Sequence, residues 1–136
     1  MATTEMDYMD IGLLDFNNPN MKLPSSIVQI PTLPTGYTNY NNPDNNRKGT
    51  YYYKVGTKVF VSLGTTNSNT SAVISNVTLF TLPVGYRPYN KVWGVIGGSN
   101  FNTFTNATVT INTDGTVVIY SENYGVFGHI EFDAFN

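Results

Sequence analysis

From residue 49 onward, apolar and polar positions alternate with a period of two, broken by glycine, proline and asparagine. Residues 51–55 and 58–63 flank Gly56-Thr57, a two-residue hairpin turn. Residues 64–71 read as a polar loop. Val73, Val77 and Leu79 alternate with polar neighbours in a strand over 72–80, and further strands are expected over 91–96, 107–112, 116–121 and 126–133. Thr113-Asp114-Gly115 supplies a turn between two of them. No segment keeps a helical period for longer than about two turns. Seven or eight short strands at this spacing predict an all-β fold, an antiparallel β-sandwich or jelly-roll-like head spanning residues 49–136.

Residues 1–48 differ. Asp7, Asp10 and Asp15 punctuate an apolar, aperiodic stretch containing Ile11, Leu13, Leu14 and Phe16, and Asn17-Asn18-Pro19-Asn20 follows as turn chemistry. A short strand fits 26–30, between Pro24 and Pro31. Pro34, Gly36 and the run Asn41-Asn42-Pro43-Asp44-Asn45-Asn46 then make a long irregular connection. So few periodic partners cannot bury a core alone. The expectation is a largely irregular arm or neck that packs on the head or on a neighbouring subunit.

Between two strands lies Leu82-Pro83-Val84-Gly85-Tyr86-Arg87-Pro88. Pro83 removes an amide donor and so ends the preceding strand. Arg87-Pro88 holds the chain extended before the next one starts. This stretch resembles the LPxGYRP segment in the C-terminal head domain of bacteriophage tail-fibre and baseplate receptor-binding proteins. The likeness continues through Ala107-Thr108-Val109-Thr110-Ile111-Asn112, the Asp114-Gly115 turn and Thr116-Val117-Val118-Ile119-Tyr120, and covers about two thirds of the chain. The resemblance implies a virion protein at the tail tip, assembled in the host cytoplasm. It also implies a homotrimer about a threefold axis, an arm that docks into other tail or baseplate proteins, and adhesion to a bacterial cell-surface saccharide.

Two strands are apolar on both faces. Val92, Gly94 and Ile96 alternate with Trp93 and Val95, and Phe127 opposes Val126. An antiparallel sheet ordinarily leaves one face wet. A strand apolar on both faces is either at the centre of a larger fold or covered by another subunit; on the second reading, with the threefold axis that the resemblance implies, Val92, Trp93, Ile96 and Phe127 are the expected trimer interface.

Composition narrows the chemistry. The chain has 136 residues and mass for one modest core, no cysteine, and a formal charge of −2. No basic footprint for nucleic acid exists, and no apolar run reaches the length of a membrane span. No signal peptide is expected at the start. Only 12% of residues are charged whereas 14% are aromatic, so solubility rests on amides and hydroxyls. Such a surface suits carbohydrate or protein contact better than phosphate.

Catalytic constellations are missing from the pattern. There is a single histidine, His129, and no G-x-S-x-G elbow; Glu131 and Asp133 share one strand face with His129 but lie too close to make a glycosidase pair. No enzyme activity and no cofactor are expected. The His129–Glu131–Asp133 face reads as a solvated polar stripe or a source of ion pairs, or as a contact for a cation or a sugar hydroxyl. Sugar binding needs a ring to stack on a pyranose and amides or carboxylates to take hydroxyls. Loops offering both carry Asn100, Phe101, Asn123 and Tyr124, with Tyr86 and Tyr89 on the LPVGYRP stretch; with His129 these are the expected saccharide contacts. A carbohydrate-binding module of a bacterial surface protein, or a purely structural virion subunit, fits the same pattern.

Overall fold

The computed structural model describes residues 27–42, 47–100 and 103–134. They form ten strands: β1 (Tyr37–Asn39), β2 (Asn41–Asn42), β3 (Arg47–Lys48), β4 (Tyr51–Val55), β5 (Lys58–Asn67), β6 (Ile74–Thr81), β7 (Val92–Ser99), β8 (Phe104–Ile111), β9 (Thr116–Ser121) and β10 (Gly125–Asp133). The protein is all-β and antiparallel, as the alternation predicts. Eight strands share one sheet in the order β1-β5-β10-β7-β8-β9-β6, with β4 on the same edge of β5 as β1; β2 and β3 pair separately.

The sheet curls upon itself like a sandwich with a shared corner. β10 pairs with β5 along all nine of its residues, but with β7 only where Gly125, Val126 and Phe127 meet Ser99, Gly98 and Gly97. Beyond that corner β7 and β10 separate, and the core lies between the two wings. Val59, Val61 and Leu63 of β5 enter it from one side, and Ala107, Val109, Ile111, Val117 and Ile119 of β8 and β9 from the other. Ile96 packs tightly at the corner. A Cβ on Gly128 would come within 2.8 Å of the Ile96 side chain, and Gly128 sits at φ +152°. The bend therefore needs a residue without a side chain.

The far ends of the sheet close by side-chain contacts rather than by a strand ladder. The Tyr52 ring of β4 lies parallel to Phe80 of β6 at 5.9 Å, and Tyr86 meets it edge-on at 5.4 Å. Lys54 Nζ donates to the Gly85 carbonyl at 2.6 Å. The LPVGYRP loop is thus the clasp of the curled sheet. Leu82 is fully buried, and Arg87 Nε donates back to the Leu82 carbonyl at 2.9 Å. Leu82 N in turn donates to Gly115 O in the β8–β9 turn. In that turn Asp114 accepts hydrogen bonds from the Thr116 hydroxyl and amide, which hold its carboxyl below the usual range.

Several expected boundaries shift. β5 runs on to Asn67, so the loop expected from 64 starts later; Thr65 and Thr66 find partners on both sides, in β10 and β1. β7 runs on to Ser99 and β8 starts at Phe104, leaving a shorter loop than 97–106. The described end of the arm is less irregular than expected. β1 joins the main sheet, and Gln29 forms an isolated bridge with Tyr52. Residues 1–26, including the acidic apolar stretch, lie outside the described residues.

The clasp makes stability sensitive to alkali. Burial, and secondly the neighbouring Tyr86 phenol, raise the Tyr52 pKa above its ordinary value of 10.0. The unfolded chain then loses this proton first, so folding stability holds below about pH 10 and falls as pH rises through the folded value. Denaturant midpoints measured across this range should fall more steeply for the wild type than for Tyr52→Phe, and equal slopes would refute the assignment to Tyr52.

Candidate functional site

The outer face of the β4–β5–β10 wing carries a second set of aromatic residues, of which Tyr53 is buried between its neighbours and Tyr51 and Phe60 are half-buried. Pairing in the β4–β5 hairpin sets Tyr53 opposite Phe60 and Tyr51 opposite Ser62. Residues two apart on a strand share a face. Tyr51 stacks on Tyr53 with ring centroids 6.3 Å apart, and Tyr53 stacks on Phe60 at 4.8 Å, all nearly parallel. Across β5, Gly64, Ser62 and Phe60 face Phe127, His129 and Glu131 of β10. Tyr40 reaches over to meet Phe127 edge-on at 6.1 Å.

These residues line a groove of about 610 Å³, within the range of small-ligand clefts. Its floor is low because two glycines meet there. A Cβ on Gly64 would lie 2.8 Å from the Cα of Gly49. Backbone and hydroxyls lock this approach. Thr50 Oγ1 lies 2.6 Å from Thr65 Oγ1 and accepts from Gly64 N, while Asn39 bonds both the amide and the carbonyl of Thr50. Ser62 Oγ donates to Gly49 O, leaving its lone pairs to the groove.

Charge in the groove is sparse. Among the described residues Glu131 is the single formally charged one lining the groove, with His129 beside it and no lysine or arginine. Lys58, on the same face beyond Phe60, is 3.6 Å from Asp133. Among the described residues no group of three His, Asp or Glu side chains could hold a metal ion.

The expected saccharide contacts fall into three places. His129 lies in the groove. Asn100 and Asn123 meet at the opposite margin of β7 and β8. Asn100 Nδ2 donates to Asn123 Oδ1 at 3.3 Å, and Asn123 Nδ2 donates to Thr105 Oγ1 at 2.8 Å. Asn100 Oδ1 accepts from Thr103 N, and Asn123 N donates to Ser121 Oγ. Both amides are occupied in holding two loops together. Tyr124 is half-buried beside them, its carbonyl accepting from Asn67 N; Phe101 lies outside the described residues. Tyr86 and Tyr89 sit before β7, so the eight residues of that strand, about 25 Å, separate them from Asn100. Tyr86 is engaged in the clasp, and Tyr89 is 70% exposed.

The expected interface residues also divide. Val92 and Ile96 face the chain's own core, because β7 turns them inward with Gly98. Phe127 belongs to the groove wall. Only Trp93 points away from this protomer, 71% exposed beside Val95; Phe104, 81% exposed, stands on the same face at the other end of the β7–β8 pair. Tyr40, Tyr51, Tyr53, Phe60 and Ser62 were not among the expected contacts. The Gly56-Thr57 turn could have found four of them, since a two-residue turn fixes Val55 opposite Lys58 and hence Tyr53 opposite Phe60 and Tyr51 opposite Ser62.

No protein-family model, curated protein or solved structure matches this chain.

The amide network makes a structural prediction. Asn123→Ala should cost about 1–3 kcal/mol by leaving part-buried partners unpaired, read as a lower denaturant midpoint. An unchanged midpoint would release Asn123 from this role.

Proposed function

We propose that the protein is the receptor-binding head of a phage or prophage tail fibre or baseplate, adhering to a bacterial cell-surface saccharide through the groove of β4, β5 and β10. The observation that carries this reading is the ring ladder Tyr51–Tyr53–Phe60 lying alongside Ser62, His129 and Glu131. A pyranose offers an apolar C–H face for rings and hydroxyls at its rim for carboxylate, imidazole and hydroxyl groups. The likeness of the LPVGYRP segment to tail-fibre heads supports the virion setting, with the N-terminal arm as the part that docks to other tail proteins. The role is binding without chemistry, with no cofactor.

A few stacked rings and neutral hydrogen bonds to a solvated sugar leave little net free energy. Single-site dissociation constants on the order of micromolar to millimolar, about −8 to −4 kcal/mol, are expected. Multiple copies then raise attachment through effective concentration. Glycan-array and cell-binding assays should show saccharide binding that Tyr51→Ala weakens about tenfold or more, a loss of about 1.4 kcal/mol, with the melting curve preserved. Binding that survives Tyr51→Ala and His129→Ala but disappears with changes at Tyr89 or Tyr124 would move the site to the loops.

The copies are proposed to associate as a homotrimer through the outer face of β7 and β8. Trp93 and Val95 stand exposed there side by side, opposite Thr110 and Thr108, and Phe104 is exposed at the far end of the same face. Large apolar side chains grouped this way mark contact surfaces. Light scattering should report three copies for the wild type and one for Trp93→Glu; a monomeric wild type at micromolar concentration would end this part of the reading.

A further inference from the structure

We infer that the groove selects its saccharide by charge, preferring sugars that carry a free amine and turning away those that carry carboxylate or phosphate. This rests on the saccharide reading above and adds the class of sugar.

The argument starts from Glu131. Register places it directly opposite Phe60, and Phe60 stacks on Tyr53. Directly opposed residues of an antiparallel pair stand close on one face. A pyranose lying on the ladder therefore carries its rim substituents toward the Glu131 carboxylate. That carboxylate is exposed, and among the described residues no lysine or arginine pairs with it. The nearest cation along the same face, Lys58, is already engaged with Asp133. Two other cations are turned elsewhere: Lys54 donates to Gly85 O in the clasp, and Arg87 Nε donates to Leu82 O.

A sugar ammonium arriving over Phe60 finds an acceptor that no described lysine or arginine pairs with. Neutral hydroxyls and acetamido groups can donate to the same oxygens. A uronate or phosphate instead brings a second negative charge beside the Glu131 carboxylate, a repulsion felt most at low ionic strength, where screening is weakest. Its own acceptors also gain no cationic donor, the usual basis of tight anion recognition.

The test uses three tetrasaccharides as probes, built from glucosamine, N-acetylglucosamine and galacturonate, titrated calorimetrically into the full chain at low ionic strength. Glucosamine should bind tightest and galacturonate weakest, the two separated by about tenfold or more, one charged contact's worth. Glu131→Gln should collapse that order, weakening glucosamine and strengthening galacturonate. His129→Gln provides the control that the imidazole does not set the preference, and the order should persist in it. If all three probes bind alike and Tyr51→Ala abolishes them, charge selection is overturned while the groove remains the saccharide site. A galacturonate preference, or an order indifferent to Glu131→Gln, overturns it equally. If no probe binds at all, both the selection and the saccharide reading of this groove fail.

Discussion

A sheet with one apolar face and no helix to cover it can only be covered by itself. Among the described residues there is no helix, and the inward positions of β5, β8 and β9 are almost entirely Val, Ile, Leu and Ala. Burying those side chains is the dominant gain in folding, at about 25 cal/mol for each Å² removed from water. The sheet must therefore bend until its two wings face one another. Everything else follows from where that bend is allowed. Gly97, Gly98, Gly125 and Gly128 gather at the corner, Ile96 fills the space that Gly128 leaves, and Tyr52 meets Phe80 where the sheet ends come together.

Curling also decides which surfaces are left for recognition. Once β5 and β10 turn Val59, Val61, Leu63, Val126 and Phe132 inward, the residues that alternate with them face outward by the pleat alone. Tyr51, Tyr53, Phe60 and Phe127 are too large and too apolar to be indifferent there. They pack on each other in ordered pairs, and the two glycines beneath Tyr40 keep a depression open between them. The groove's shape is thus held by the same strands that hold the core, so a ligand would meet rings already in place and pay little to order them.

Local order was legible in the sequence wherever the signal was local. The period-two strands, the Gly56-Thr57 hairpin and the Asp114-Gly115 turn stand close to where alternation and turn chemistry put them. Partners distant in sequence were not legible. Nothing in Val126–Phe132 alone says that its outward residues will lie beside Ser62 and Phe60, so His129 was identified as a candidate without the aromatic neighbours that give it a setting. Alternation in Val92–Ile96 gives two apolar faces, and the one carrying Val92 and Ile96 packs on this chain's own core, with the Ile130 side chain beside Gly94. The LPVGYRP stretch suggested contact residues at Tyr86 and Tyr89; the fold uses Tyr86 to close the sheet.

The edge strand β6 has a further consequence. Its pairing with β9 slips twice, between Ile74 and Val77 and between Thr78 and Phe80, and Asn76 takes a left-handed conformation at φ 52°. A ladder interrupted this way cannot offer an even row of amides and carbonyls to a strand from outside. At the opposite margin, Gln29 occupies both backbone groups of Tyr52. A strand from another molecule that meets β6 therefore finds no regular ladder to extend.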